Sequence, residues 1–192
     1  LYLAFCSLTG RTPAFDTVAA IHHGLQGNRG SGIDIAAAWY GGLLRFQRAP
    51  AGRQGPSIRR SSLPVGTAYV FVWTGHASST TRHLARFADW QAQGRVAELD
   101  GLVEASAALF EPSDWLDRLA NYVQRLKSLD RAADLGIYGL AHAELDRLAA
   151  RAGVVYKPCG AGGGDIGAVF GSDPAALAAF VDGARLKGFA RI

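Results

Sequence analysis

Lys157-Pro158-Cys159-Gly160-Ala161-Gly162-Gly163-Gly164-Asp165-Ile166-Gly167 is the stretch on which the reading of this chain turns. Residues 162–167 match G-x-G-x-x-G, the spacing with which dinucleotide-binding folds bring backbone against a pyrophosphate. Context argues against that use. Such a fingerprint opens directly into a helix and needs an acidic residue about 20 positions on, whereas Ile166-Gly167-Ala168-Val169-Phe170 reads as a strand and the sequence runs only to Ile192. Residues 162–169 also fit the protein-kinase pattern G-x-G-x-x-G-x-V, yet no V-A-I-K, H-R-D or D-F-G follows, and no Walker A sequence is present. What the stretch does offer is a run of small residues whose N–H groups can converge on an anion, with Lys157 adding charge at its edge. A tight strand-to-strand connection would need fewer glycines than the four in positions 160–164.

Working outward, Val154-Val155-Tyr156 reads as a short strand entering the loop. Leu140 to Ala152 reads as a helix with Leu145, Leu148 and Ala149 inward and Gly153 as its stop. Before it, Ser113 is placed to cap the clearest helix, in which Trp115, Leu116, Leu119, Tyr122, Val123, Leu126 and Leu129 recur at spacings of three and four. After the loop, Ser172-Asp173-Pro174 predicts a last helix to about Lys187, and Phe189 to Ile192 a closing sheet edge. Towards the start, Leu43–Gln47 and Thr67–Thr74 have strand composition, and the Gly, Pro, Arg and Ser stretch between them reads as a linker or long hairpin loop. Ser78 and Ser79 can cap a helix carrying Leu84, Phe87 and Trp90, and another spans Val96 to Phe110. Leu1 to Leu8 reads as the tail of a helix stopped by Gly10. Thr12-Pro13 is expected to open the next, which carries Phe15, Val18, Ala19 and Ile21 and ends near Gly27. Gly27-Asn28-Arg29-Gly30-Ser31-Gly32 then runs into Ile33-Asp34-Ile35, a loop entering a helix N-terminus and so a natural anion seat. The mix is α+β.

With 192 residues, 49% hydrophobic and 19% charged, the chain can bury one large core or two small ones, which excludes disorder, and its 24 glycines lack the period of collagen. Net charge is +4, from 20 basic and 16 acidic residues, with the excess around Arg45, Arg48, Arg53, Arg59 and Arg60. That cluster suits a phosphorylated small molecule or a solvated loop; without interleaved aromatics it speaks against nucleic acid. Cys6 and Cys159 are too few for a disulfide scaffold and too far apart for a CxxC pair, which points to a reducing, cytoplasmic setting. Apolar runs stop well short of about 18 residues, so no membrane partner is expected. His22-His23 diverge around a helix, and His76 and His83 lack H-E-x-x-H spacing, so the five histidines read as surface or packing and no protein metal site is expected. No G-x-S-x-G elbow supports hydrolase chemistry. The absence of Met and the opening at Leu1 in mid-pattern suggest a start inside a longer protein.

Three segments carry a family resemblance. Lys157 to Gly167 resembles the C-terminal glycine-rich motif of the GHMP small-molecule kinases, in the K-P-S-G-A-G-G-G-D form of the phosphomevalonate kinases. Gly27 to Gly42 resembles the segment bearing that family's active-site aspartate, and Val72 to Thr80 resembles its W-T-G-x-x-A-S-T segment. The resemblance implies a two-domain fold: the end of a ribosomal-S5-like N-terminal domain in residues 1–62 and a ferredoxin-like C-terminal domain in 63–192. The family's P-x-x-x-G-L-G-S-S-A loop is missing from the sequence, so the fold is expected to be N-terminally incomplete.

The implied activity is ATP-dependent phosphoryl transfer, with Mg²⁺, to a small phosphorylated acceptor, 5-phosphomevalonate first and mevalonate or a sugar as rivals. A non-catalytic binding module of the same fold is the reading from another class, and a homodimer stays open. The resemblance places Asp34 in the catalytic role, Ser31, Gly32, Lys157, Cys159, Gly160 and Ala161 on the acceptor, and Gly162, Gly163, Gly164 and Asp165 in the phosphate loop. Read alone, Asp34 is a first-turn acid complementing a helix dipole, and Asp165 a brace for its own loop. Ser78, Ser79 and Thr80 serve as helix cap or substrate contacts. Cys159 stands where the family has Ser, and Ile137 to His142 where relatives have a Thr-containing turn.

Overall fold

The computed structural model describes residues 2–25, 31–48, 55–78, 80–94, 97–111 and 113–192. They form two compact units, Leu1–Leu63 and Pro64–Ile192.

The first unit contains α1 (Tyr2–Thr9), α2 (Phe15–Leu25), α3 (Ile33–Tyr40), β1 (Leu43–Gln47) and β2 (Ser57–Ser61). Helix α2 begins later than Thr12-Pro13 predicts. The Ala14 N–H is taken by the Tyr2 hydroxyl at 3.3 Å, and Ala14's carbonyl accepts from Val18, so α1 sets the entry of the chain and no cap at Thr12 is used. The expected end near Gly27 lies outside the described residues. Within the stretch read as a linker or long hairpin loop, Ser57-Ile58-Arg59-Arg60-Ser61 forms a strand of its own, antiparallel to β1, from Leu43↔Ser61 to Gln47↔Ser57. Leu44, Phe46 and Ile58 give the hairpin a half-buried face, while Arg45 and Arg59 stand opposite one another. Arg60 donates to the Tyr40 carbonyl at 2.7 Å, tying the hairpin to the end of α3. The ring of Phe15 packs on Trp39 and Tyr40.

The second unit contains β3 (Ala68–Trp73), α4 (Thr80–Gln91), α5 (Ala97–Ala108), α6 (Trp115–Ala133), α7 (Leu140–Ala152), β4 (Val155–Pro158), β5 (Ile166–Gly171), α8 (Pro174–Leu186) and β6 (Ala190–Arg191). Its sheet is antiparallel in the order β4-β5-β3-β6. Strand alternation sends Val72, Tyr156 and Val169 to one face, where they meet Leu145 and Ala149 of α7 and Leu177, Phe180 and Ala184 of α8. Burying a side chain such as Phe180 or Leu145 contributes about 1.5–3 kcal/mol. On the other face α6 lies near β4 and β5, with Tyr122 over Lys157 and Trp115 edge-on to Phe170. A smaller core joins Trp90 to Leu129, Ala133 and Leu135.

Local stop and start signals hold where they are strongest. Gly153 ends α7 at φ 72°, and Asp173 caps α8 by accepting from the Ala175 N–H at 2.8 Å, with Pro174 in the first turn. Ser113 does not cap α6. Asp114 occupies that position with φ 51°, and the Ser113 hydroxyl accepts from Arg118 at 3.2 Å. The α+β expectation is borne out, and among the described residues no helix is long and apolar enough to cross a membrane.

Candidate functional site

In the second unit, residues 159–165 connect β4 to β5, and the Cys159 N–H bonds to the Ile166 carbonyl at 2.8 Å to close the mouth of the connection. Three other segments hold the loop. From the end of β3, Thr74 gives both its N–H (2.8 Å) and its buried hydroxyl (2.9 Å) to the Asp165 carbonyl, and the Asp165 N–H returns to the His76 carbonyl at 2.6 Å. The Ser78 hydroxyl donates to the Gly162 carbonyl at 2.5 Å. From the α6–α7 connection, the Ile137 carbonyl accepts the Gly163 N–H at 2.8 Å. From α7, His142 Nε2 reaches the Gly164 carbonyl at 2.9 Å.

This clamping gives the glycines a reason that composition alone does not show. A Cβ on Gly162 would lie 2.5 Å from Ile137 Cγ2, and one on Gly163 would lie 2.8 Å from the His83 ring. It also sorts the donors. Gly162 and Gly163, expected to offer N–H groups to phosphate, give them to the Cys159 and Ile137 carbonyls instead, and the Asp165 N–H is spent as well. Among the described residues, the N–H groups of Gly160, Ala161 and Gly164 have no protein acceptor. Asp165 sits at φ 58°, and its bracing bonds run through its main chain.

Lys157 gives one N–H to the Pro158 carbonyl at 2.8 Å and lies over the Tyr122 ring. Burial lowers its pKa from the ordinary lysine value, and burial likewise raises that of the Cys159 thiol.

Two residues that hold the loop carry no functional role in the sequence reading. Buried Asp130 accepts the N–H groups of Ile137 and Tyr138, each at 2.8 Å, and so fixes the turn that presents the Ile137 carbonyl. His142, read as surface or packing, is fully enclosed between Gly164 and the Tyr156 hydroxyl, the latter 2.5 Å from Nδ1. The available signal is a polar residue on an apolar stripe: Asp130 follows Leu126 and Leu129, and His142 precedes Leu145 and Ala149.

In the first unit, Asp34 lies in the first turn of α3, behind Gly32 at φ 79°. The Ser31 hydroxyl accepts the Ile33 N–H at 3.4 Å. Asp34 pairs with His22 (Nε2–Oδ2 3.2 Å), a partner that the sequence reading of the histidines does not supply. A cavity of about 370 Å³ is lined by Ala19, His22, His23, Ser31, Gly32 and Arg48 among others. Two residues expected to touch substrate, Ser31 and Gly32, thus share a wall with cationic and imidazole groups. Gly27 and Gly30, Arg53 and Ser79 lie outside the described residues.

No protein-family model matches the chain. It is 29% identical over 192 aligned positions to the phosphomevalonate kinase of Streptomyces sp. (strain CL190), covering 85% of the chain and 51% of that relative. Among solved structures it resembles a Lin0012 protein from Listeria innocua, with a TM-score of 0.81, 20% identity and coverage of 93% of this chain and 57% of the other. It also resembles Streptococcus pneumoniae phosphomevalonate kinase in complex with phosphomevalonate and AMPPNP, with a TM-score of 0.78, 18% identity and coverage of 98% and 65%. The chain spans about half the length of the curated relative. The resemblance to GHMP kinases is borne out: the curated relative is one of them, and the chain has their fold.

Proposed function

We propose that the chain is part of an ATP-dependent phosphotransferase of the GHMP type, which transfers the γ-phosphoryl group of ATP to the phosphate of 5-phosphomevalonate, giving ADP and 5-diphosphomevalonate. The observation that carries this reading is the joint likeness, in sequence and in fold, to phosphomevalonate kinases, one of them solved with phosphomevalonate and AMPPNP.

The chemistry asks mainly for positioning and charge neutralisation. A phosphate monoester has its second pKa near ~6, so the acceptor oxygen is largely ionised at neutral pH and needs no strong base. Asp34, held by His22, then orients groups around the transferred phosphoryl. Ser31 and Gly32 offer donors in a cavity whose His22, His23 and Arg48 favour an anion. Lys157, Cys159, Gly160 and Ala161 take the phosphate end of the acceptor; Gly160 and Ala161 retain unspent N–H groups for it. Gly164 keeps its own N–H for the phosphate loop, while Gly162, Gly163 and Asp165 shape that loop. The arginines of the β1–β2 hairpin steer anions toward the first unit. Mg²⁺ would travel with the nucleotide phosphates.

Binding without turnover, by a module of the same fold, is the second reading. A coupled assay of the full-length protein with ATP and 5-phosphomevalonate, mevalonate or sugar acceptors separates the two. Asp34→Asn is expected to lower kcat by about 100-fold with little change in KM. Turnover unchanged by this substitution would remove Asp34 from the mechanism, and bound acceptor without turnover in the unmodified protein would favour the binding module.

A further inference from the structure

His142 is 1% exposed, although both of its ring nitrogens are polar. Nε2 lies 2.9 Å from the Gly164 carbonyl and Nδ1 lies 2.5 Å from the Tyr156 hydroxyl. A carbonyl only accepts, so Nε2 carries a proton, and in the neutral ring Nδ1 is bare and receives the tyrosine O–H. The Tyr156 hydroxyl reaches this position because residue 167 is glycine: a Cβ there would lie 2.0 Å from it. Gly167, Tyr156, His142 and Gly164 therefore form one line of contacts from strand β5 through α7 to the loop.

The end of that line is a single peptide group. The Gly164 carbonyl and the Asp165 N–H belong to one plane, with the oxygen held by His142 and the N–H held by the His76 carbonyl at 2.6 Å. A glycine on the N-terminal side makes such a plane easy to flip, and a flip would exchange carbonyl for N–H on the surface of the loop. Anchoring both edges removes that freedom.

We propose that His142 is a positioning residue of the glycine loop: its Nε2–H, oriented by Tyr156, locks the 164–165 peptide so that the free N–H groups of Gly160, Ala161 and Gly164 hold their places for an anionic phosphate. The ligand part rests on the reading of the loop given above; the lock itself does not.

Amide hydrogen exchange at Gly163 and Asp165, resolved by NMR, tests the lock, and calorimetric titration with 5-phosphomevalonate tests its consequence. His142→Gln keeps an N–H donor and should stay within threefold of the unmodified protein in both. His142→Phe keeps a ring without a donor. It should speed exchange at both amides at least tenfold, leave Leu126 and Leu129 protected, and weaken binding at least tenfold. Should that variant fail to fold, Tyr156→Phe removes one oxygen only and should speed loop exchange by threefold or more. Unchanged loop exchange in the foldable variants overturns the proposal. So does equal loosening by Gln and Phe, because ring size rather than the donor would then be at work. If the unmodified protein does not bind 5-phosphomevalonate while His142→Phe still loosens the loop, the lock stands and the functional reading falls.

Discussion

Gly167→Ala makes a sharp test of how the sheet supports the loop. Gly167 is buried in β5 between Pro158 and Val72. An added Cβ would lie 2.0, 2.4 and 2.5 Å from the hydroxyl oxygen, Cζ and Cε2 of Tyr156. No flexible chain end can swing aside, because the tyrosine ring is itself among the most enclosed side chains. Overpacking of this kind costs about 1–3 kcal/mol. Pushing the hydroxyl off His142 leaves a buried polar pair unmade, for about 1–3 kcal/mol more. Replacing a strand glycine returns up to about 1 kcal/mol of chain entropy. The expected net loss is about 1–5 kcal/mol, which for a unit of this size lowers Tm by roughly 4–20 °C.

Gly160→Ala is the control. It carries a positive φ of 60° with open space around it, so it should lose only about 1–2 kcal/mol of backbone strain. Urea unfolding of both variants, followed by far-UV circular dichroism, compares them directly. A loss at Gly167 below 1 kcal/mol, or below the loss at Gly160, would refute the placement of Tyr156 over β5.

Other expectations follow from the same contacts. Asp130→Ala strands two backbone N–H groups and should cost about 2–5 kcal/mol in urea unfolding, with Asp130→Asn recovering part of it. Burial lowers the His142 pKa below the usual 6.5, although the Gly164 carbonyl and nearby Asp165 pull it upward and Lys157 pulls it further down. The unfolded chain therefore binds a proton that the folded chain refuses. Stability is full above pH 6.5 and is lost as pH falls through that value, by at most about 1.4 kcal/mol per pH unit for this one group. Urea midpoints between pH 8 and 5 would show it, and His142→Gln should flatten the profile relative to the unmodified chain.

What the sequence makes legible is whatever depends on neighbours in the chain. Gly153 and Asp173-Pro174 mark α7 and α8 because caps and stops are built from adjacent residues. Strand β2 is hidden because Arg59 and Arg60 mask its single inward residue, Ile58, and because its stability comes from pairing with β1. Thr12-Pro13 misleads because the Tyr2 hydroxyl, 12 positions away, takes the N–H that fixes the start of α2. The glycine loop stands out in the sequence, but which of its N–H groups stay free does not. That depends on carbonyls of Ile137 and His76, and backbone acceptors leave no mark on residue identity. Asp130 and His142 are visible as polar residues on apolar stripes, yet their partners are again main-chain atoms.

The ties from Thr74 to Asp165 and from Ser78 to Gly162 join residues 91 and 84 positions apart. Contacts at such separations are reached slowly, after local helices have formed. As the chain leaves the ribosome, Thr74 and Ser78 emerge long before the strand that they are to grip, and they wait through the synthesis of four helices. The loop therefore closes as a late event of folding. A substitution at Ser78 should hasten unfolding and leave refolding nearly untouched, and no nascent chain presents the N–H groups of this loop in their final places before the sheet that frames it is complete.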